Sequence, residues 1–182
     1  MDITADYHTH TLFSDGSASV DTMVATAAEK GLKTIGITDH MPLPYTTRYA
    51  MDIDHIHCYR DRIRKAGHRH RDRIRVLSGL EMEYSPDLTD WIKPLADMGW
   101  DHLIVSVHGL FAKGVPYLVN GNEKEFHRAM TLGFEKDIRA LCRLYYTTLQ
   151  QAFETGWFDA AGHLDVVKKH GHGLFDESEP WY

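Results

Sequence analysis

The sequence has 182 residues, of which 43% are hydrophobic and 25% are charged, and its net charge is −6. A chain of this length and composition fits one globular domain with a sizeable core, and its negative charge argues against a nucleic-acid-binding protein. Because it lacks the roughly 20-residue apolar run of a membrane-spanning helix, a signal peptide and a disulfide framework, the sequence predicts a cytoplasmic protein without membrane contact.

Short β-like segments alternate along the chain with longer helical segments. Strands are predicted at residues 5–10, 33–38, 74–81, 102–107 and 157–162. Helices are predicted at residues 20–30, 53–66, 88–98 (broken or kinked at Pro94) and 123–155 (divided at Gly133). This alternation, with strands rich in Val and Ile, predicts an α/β fold in which helices cover a parallel sheet. In such folds the active site lies at the carboxyl ends of the strands.

Residues 60–75 form a strongly basic segment within this otherwise acidic chain. Such a segment could contact a phosphate backbone. However, Asp61 and Asp72 interrupt it and no aromatic residues are interleaved with the basic ones. We therefore interpret it as a solvated helix face followed by a connecting loop.

Histidine is unusually frequent, with 13 residues, and it is the commonest metal ligand in proteins. His8 and His10 lie two residues apart in the first predicted strand, so their side chains point to the same face. Asp15 follows in a Ser-Asp-Gly turn. On its own, this stretch fits a metal site and a solvated hairpin edge equally well.

The other predicted strands also carry histidines or carboxylates at their carboxyl ends. Over the five strands these residues are His8, His10, Asp39, His40, Glu81, Glu83, His108, His163 and Asp165. Solvated histidines would not be distributed in this way. The pattern therefore predicts a metal site at one rim of the sheet.

Seven residues are candidate metal ligands: His8, His10, Asp15, His40, Glu81, His108 and His163. Nitrogen and oxygen ligands without cysteine suit Zn²⁺, Mn²⁺ or Fe²⁺. Seven ligands exceed the need of one ion, so we expect two or three divalent ions, with Glu81 of the middle strand as a bridging carboxylate. Clustered ions suit phosphate-ester hydrolysis, because they acidify a bound water and hold the phosphoryl oxygens.

Several neighbouring residues have other expected roles. Asp39 is expected to orient His40 as a hydrogen-bond acceptor, while Glu83 and Asp165 can either face the site or lie behind it. His102 precedes its strand and is interpreted as structural. The remaining histidines are interpreted as solvated: His55, His57, His68, His70, His127, His170 and His172. The last two of them follow the His163 loop closely enough to approach the site.

Five motifs resemble, in order and spacing, those of the polymerase-and-histidinol-phosphatase (PHP) superfamily of metal-dependent phosphoesterases. They are H-T-H-T-L-F-S-D-G, I-G-I-T-D-H, G-L-E-M-E-Y, S-V-H and G-H-L-D. Three segments are most similar to the histidinol-phosphatase branch: T-D-H-M-P-L-P, L-S-G-L-E-M-E-Y and G-H-L-D-V-V-K-K. The resemblance implies a distorted TIM-like (β/α)7 barrel with three metal ions that hydrolyses L-histidinol phosphate in histidine biosynthesis. It matches the seven candidate ligands to metal ligands, and we assign the catalytic chemistry to Asp39, His40 and Glu81.

The chain departs from the family at one point. The family ends with an Asp-x-His pair on a late strand, and no such pair follows His163. Five predicted strands are also too few to close a barrel of seven or eight. We therefore expect residues 1–182 to form a single PHP-type domain whose barrel is incomplete at the C-terminus, in a fragment or a shortened variant. A homo-oligomer would cover the open sheet edge.

Basic residues near the rim are candidate phosphate-binding groups, because a phosphate monoester needs a cationic clamp besides the metals. They are Lys168, after the His163 strand, and Arg48 and Lys113, in loops after other strands. The expected partner is a small-molecule phosphate ester. Two alternatives stay open: a PHP-type phosphoesterase acting on a phosphotyrosine protein or a nucleic-acid end, and an inactive metal-binding or interaction module.

Overall fold

The computed structural model describes residues 3–171, 173–176 and 178–179. Its strands are β1 (Ala5–Thr9), β2 (Thr34–Ile37), β3 (Arg75–Glu83), β4 (His102–Ser106), β5 (Gly109–Ala112), β6 (Val115–Leu118) and β7 (Ala160–Ala161). Five of them pair in parallel in the order β1-β2-β3-β4-β7. This sheet curls into a half-barrel, which confirms the predicted α/β fold and incomplete TIM-like barrel.

The helices are α1 (Val20–Glu29), α2 (Ile56–His70), α3 (Thr89–Ala96), α4 (Glu123–Arg128) and α5 (Ile138–Glu154). The second helix runs further than predicted, and a 3-10 turn at Ile53–His55 precedes it. Pro94 lies inside α3, which ends two residues later. The long helical stretch predicted from residue 123 is divided near Gly133, because a π-helical turn, Ala129–Gly133, separates α4 from α5.

An antiparallel hairpin, β5–β6, follows the fourth strand of the sheet and was not predicted. Its turn holds Lys113 and Gly114 at φ angles of 55° and 74°. Two central residues with positive φ make a turn whose twist suits a hairpin, and glycine adopts this conformation without strain. The hairpin places residues 109–118 beside the carboxyl ends of the parallel strands.

The apolar core has two parts. In the first, Ile35, Ile37 and Leu80 of the sheet pack against α1, α2 and α3. The second joins the hairpin to α4 and α5, with Phe126 and Tyr145 fully buried at its centre. The hairpin and the last two helices therefore pack as one unit against the rim of the half-barrel.

Tyr59 of α2 ties the first part of the core to the loop that follows β2. Its side chain is fully buried, and its hydroxyl accepts a 3.0 Å hydrogen bond from the backbone N–H of Asp39. The same hydroxyl lies 2.9 Å and 2.8 Å from the carbonyl oxygens of Ile37 and Gly79. Because the Tyr59 hydroxyl bonds β2 and β3 at once, it fixes the position at which the chain leaves β2 toward His40.

Candidate metal centre

The centre of the site is the carboxylate of Glu81, which is 2% exposed on β3. His8 in β1 and His10 just after it place their Nε2 atoms 3.3 Å and 3.2 Å from Glu81 Oε2. An isolated parallel bridge joins His40 to Glu81 and brings His40 Nδ1 to 2.9 Å from the same oxygen. Three imidazoles therefore surround one oxygen of this carboxylate.

The other oxygen of Glu81 faces β4 and β7. Ser106 at the end of β4 donates a 2.6 Å hydrogen bond to Glu81 Oε1. His108 Nε2 and His163 Nε2 lie 3.3 Å and 3.6 Å from this oxygen and 3.0 Å from each other. The structure thus brings five histidines from four segments to a single buried carboxylate.

The charge of Glu81 follows from these neighbours. Burial by itself would raise the pKa of the Glu81 carboxyl, but the imidazoles of His10, His108 and His40 outweigh burial and hold that pKa well below its usual range. An ionised carboxylate with both oxygens surrounded by imidazole nitrogens is suited to bridge two cations.

The histidines respond to the same charges. Burial lowers the pKa of His108, yet Glu83 and Glu81 outweigh it and raise that pKa to about 10. Burial and the nearby His108 lower the pKa of His163. The two carboxylates next to His108 therefore favour a positive charge at this point, and a bound cation would compete with the proton for the ring nitrogen.

Asp15 adds a second carboxylate at the edge of the centre. Its Oδ1 is 2.7 Å from His10 Nδ1, and its Oδ2 is 3.7 Å from His40 Nε2. Three sets of side chains each have their potential ligand atoms within 4.8 Å of one another: His8, His10 and Glu81; His10, Asp15 and His40; and His40, Glu81 and His108.

These residues fit a metal ion on one further observation. His10 Nε2 is buried and makes no hydrogen bond with any residue that the structure describes, although Glu81 Oε2 is only 3.2 Å away. A buried nitrogen without a hydrogen-bond partner is costly, whereas a cation between the nitrogen and the carboxylate oxygen would satisfy both. The nitrogen and oxygen donor set, with no cysteine, suits Zn²⁺, Mn²⁺ or Fe²⁺.

Asp39 has a different role from the predicted one. Its buried carboxylate accepts hydrogen bonds from the backbone N–H and the hydroxyl of Thr11 and from the same two groups of Ser14, at 2.6–3.1 Å. The bonds therefore hold the loop after β1 rather than His40. Since this loop carries His10 and Asp15, Asp39 positions two candidate ligands that follow a neighbouring strand.

Glu83 lies directly behind His108. Its Oε2 is 2.6 Å from His108 Nδ1, and its Oε1 accepts bonds of 2.9 Å from the backbone N–H groups of His108 and Gly109. The carboxylate therefore fixes the ring with Nε2 directed at Glu81. Of the two arrangements that the sequence left open for Glu83, the structure shows the one that supports a ligand.

The other predicted polar residues lie further out. His102 begins β4, at the opposite end of the strand from the site, with its ring 5.7 Å from that of Tyr7. His170 is 2.8 Å from the carbonyl oxygen of Gly121 through Nε2, and Asp165 pairs with Lys168 at 3.5 Å. His172 lies outside the described residues.

A cavity of about 780 Å³ adjoins the metal centre. Asp15, His40 and His108 form its inner wall, and the loop after β2 and the hairpin form its sides. Three basic residues in its lining, Arg48, Arg128 and Lys169, form a cationic wall, and the lining also includes Glu125. Its volume is in the range of small-molecule sites.

The structure corrects two of the predicted phosphate-binding residues. Lys113 lies in the exposed hairpin turn and pairs with Glu135 at 2.6 Å, because the hairpin carries it away from the cavity. Lys168 pairs with Asp165, while the adjacent Lys169 lines the cavity and donates to the carbonyl oxygen of Asn120 at 2.8 Å. Arg48 does line the cavity, and its role in phosphate binding stays a prediction.

Some cavity residues carried no signal in the sequence. Arg128 reaches the cavity only because the unpredicted hairpin brings α4 there. Tyr49 lies in an irregular loop without periodicity. The doubled lysine after G-H-L-D indicated a basic residue but not which of the two faces the cavity.

Comparisons with known proteins identify the family of this chain. The family model described as "PHP domain" matches residues 6–181. A curated protein of Deinococcus radiodurans, named "Probable histidinol-phosphatase", is 33% identical over 171 residues, which are 92% of this chain and 62% of that protein. This chain therefore spans less than two thirds of the length of that relative.

Two solved structures share the fold. A Listeria monocytogenes protein named "putative histidinol phosphatase" superposes with a TM-score of 0.74 at 20% identity, over 91% of this chain and 68% of that one. The histidinol phosphate phosphatase of Lactococcus lactis, solved with Zn, L-histidinol and phosphate, gives a TM-score of 0.56 at 21% identity. The match covers 91% of this chain and 59% of that chain. Within the described part of this chain, no helix has the length and apolarity to cross a membrane.

Proposed function

The chain belongs to the PHP domain family, and we propose that it is a metal-dependent phosphomonoesterase that hydrolyses L-histidinol phosphate to L-histidinol and phosphate. The observation that carries the proposal is the buried Glu81 carboxylate with five imidazoles around it. The choice of substrate is supported by the name of the Deinococcus radiodurans relative and by the ligands of the Lactococcus lactis enzyme. We further propose that it acts in histidine biosynthesis in the cytoplasm.

We propose that the centre holds two or three divalent ions, Zn²⁺, Mn²⁺ or Fe²⁺, with Glu81 shared between them. The proposed ligands are His8, His10, Asp15, His40, Glu81, His108 and His163. When bound, such ions acidify a water molecule and neutralise the phosphoryl oxygens. Support comes from the three overlapping ligand sets and from His10 Nε2, which otherwise has no hydrogen-bond partner in the described part of the chain.

The chain's own residues would bind and orient the substrate. Glu83 and Ser106 fix His108 and Glu81, and Asp39 fixes the loop that carries His10. The cationic wall of the cavity, formed by Arg48, Arg128 and Lys169, would attract a phosphate monoester. The volume of the cavity suits a small phosphate ester.

A substrate panel tests this proposal. The full chain, purified with its metals, would be assayed on L-histidinol phosphate, a nucleoside monophosphate, a phosphotyrosine peptide and a 3′-phosphorylated oligonucleotide, with metal content measured on the same sample. We expect L-histidinol phosphate to have the highest kcat/KM by at least about tenfold. Equal, slow turnover of all four would reject the substrate assignment, and turnover without bound metal would reject the mechanism.

A further inference from the structure

Tyr49 lies between the metal centre and the cavity. Its ring packs edge-on against that of His40, with centroids 4.8 Å apart, and lies 5.9 Å from that of His108. Two hydrogen bonds brace the surrounding loop: Met51 N–H donates to the His40 carbonyl at 3.2 Å, and Ala50 N–H donates to the Thr47 hydroxyl at 2.9 Å. The ring therefore has a fixed place beside two candidate ligands.

The hydroxyl of Tyr49 is buried and has no hydrogen-bond partner among the described residues. Tyr59, which is also buried, has three polar groups around its hydroxyl at 2.8–3.0 Å. Buried hydroxyls are normally hydrogen-bonded, and one left without a partner destabilises the folded state. Since Tyr49 also lines the cavity, a group bound in the cavity can supply the missing partner.

The chemistry of that partner follows from the position of the hydroxyl. A phenol is neutral near neutral pH and can donate one hydrogen bond. Burial raises the pKa of Tyr49, and Glu83, Glu81 and Glu125 are close enough to raise it further, but none of them makes a hydrogen bond with its hydroxyl. Tyr49 lines the cavity next to His40 and His108, where the proposed function places the phosphoryl group, so a phosphoryl oxygen bound there can accept this hydrogen bond.

We propose that Tyr49 Oη donates a hydrogen bond to a phosphoryl oxygen of the bound phosphate monoester. This inference rests on the proposed function, since it needs a phosphate against the metal centre. It makes Tyr49 a phosphate-binding residue in addition to Arg48, Arg128 and Lys169 of the cationic wall. A charge-assisted hydrogen bond of this kind is stronger than one between neutral groups.

Inorganic phosphate is the probe for this inference. Its affinity for the metal-loaded full chain would be measured by titration calorimetry for the wild type and for Tyr49→Phe. We expect the substitution to weaken phosphate binding by about tenfold or more, as the loss of a hydrogen bond to a charged group does. The metal content should stay the same, and the melting temperature without phosphate should stay the same or rise, because a buried hydroxyl without a partner is removed.

Tyr145→Phe is the matched control, because Tyr145 is a buried tyrosine of the second core part, in α5 and outside the cavity lining. It should leave phosphate affinity unchanged. If the wild type binds phosphate and Tyr49→Phe binds it equally well, the inference is wrong and the proposed function stands. If Tyr49→Phe loses metal or melts at a lower temperature without phosphate, its hydroxyl is structural and the inference is again wrong. If the metal-loaded wild type binds no phosphate, both fail together.

Discussion

Ser106 donates a 2.6 Å hydrogen bond to Glu81 Oε1, the carboxylate oxygen that also faces His108 and His163. Both residues are buried, on adjacent strands β4 and β3. The neighbouring Gly162 makes this approach possible, because a Cβ at that position would collide with Ser106 Oγ and lie 3.2 Å from His8 Cε1. The orientation of the central carboxylate thus depends on a hydroxyl and a glycine that bind no metal themselves.

Ser106→Ala should weaken metal binding without preventing folding. Loss of the hydroxyl leaves Glu81 Oε1 without its donor, and residues that orient metal ligands contribute about 10- to 100-fold to metal affinity. The measurement is a competition titration with a metal indicator. Ser78→Ala is the control. Ser78 lies in the first half of β3, away from the site, and its hydroxyl donates a hydrogen bond to the carboxylate of Asp101. Equal metal affinity in both variants would contradict the role of Ser106.

Glu81→Gln should remove the shared carboxylate while keeping its size. We expect at least one metal equivalent to be lost and activity to fall by orders of magnitude, because a neutral amide cannot bridge two cations. Metal analysis and phosphate release would be measured on the same sample. Glu29→Gln, at the exposed end of α1, serves as the control. Normal metal content together with normal rate would exclude Glu81 as the bridge.

Glu83→Gln tests whether the carboxylate behind His108 acts through that ring. The amide can still accept from the backbone N–H groups of His108 and Gly109, but it removes the negative charge next to His108 Nδ1. A less basic imidazole binds metal more weakly, so we expect affinity to fall by about tenfold with little change in unfolding free energy. Restoration of the rate by excess metal would distinguish this effect from misfolding.

The strands and the convergence of the ligands were predictable from the sequence. Parallel strands place their carboxyl ends at one rim. Residues at those ends are therefore expected to lie close together once the alternation of strands and helices is recognised. They are His8, His40, Glu81, His108 and His163. The i, i+2 spacing of His8 and His10 needed only the geometry of one strand. Such features depend on local periodicity, which the sequence contains.

The walls of the cavity were not predictable in this way. The hairpin turn has Lys-Gly rather than the favoured Asn-Gly, and Pro116 within β6 argues against a strand. Without the hairpin, Lys113 was expected near the site, and Arg128 was not among the candidate residues. Asp39 was assigned to its chain neighbour, His40, but its carboxylate bonds the loop after β1. These contacts join residues distant in sequence, and no single-strand pattern contains them.

Tyr59→Phe should destabilise the fold more than it affects the chemistry. It removes a buried hydroxyl that contacts Asp39 N–H and the carbonyls of Ile37 and Gly79. Leaving such groups without a partner costs about 1–3 kcal/mol, which urea denaturation would measure as a lower midpoint at constant m-value. Tyr7→Phe, on the half-exposed β1 residue, is the control. An unchanged midpoint would mean that these contacts are dispensable.

Arg128 and Lys113 form a matched pair for testing the cationic wall. Arg128 lines the cavity, with its guanidinium 5.7 Å from the centre of the Tyr117 ring, whereas Lys113 pairs with Glu135 outside it. Arg128→Ala should raise KM for a phosphate monoester by about tenfold, because a charged contact to phosphate contributes about 1.5–3 kcal/mol. Lys113→Ala should leave KM unchanged. Steady-state kinetics on both variants checks this, and a larger effect at Lys113 than at Arg128 would show that phosphate binds near the hairpin turn instead.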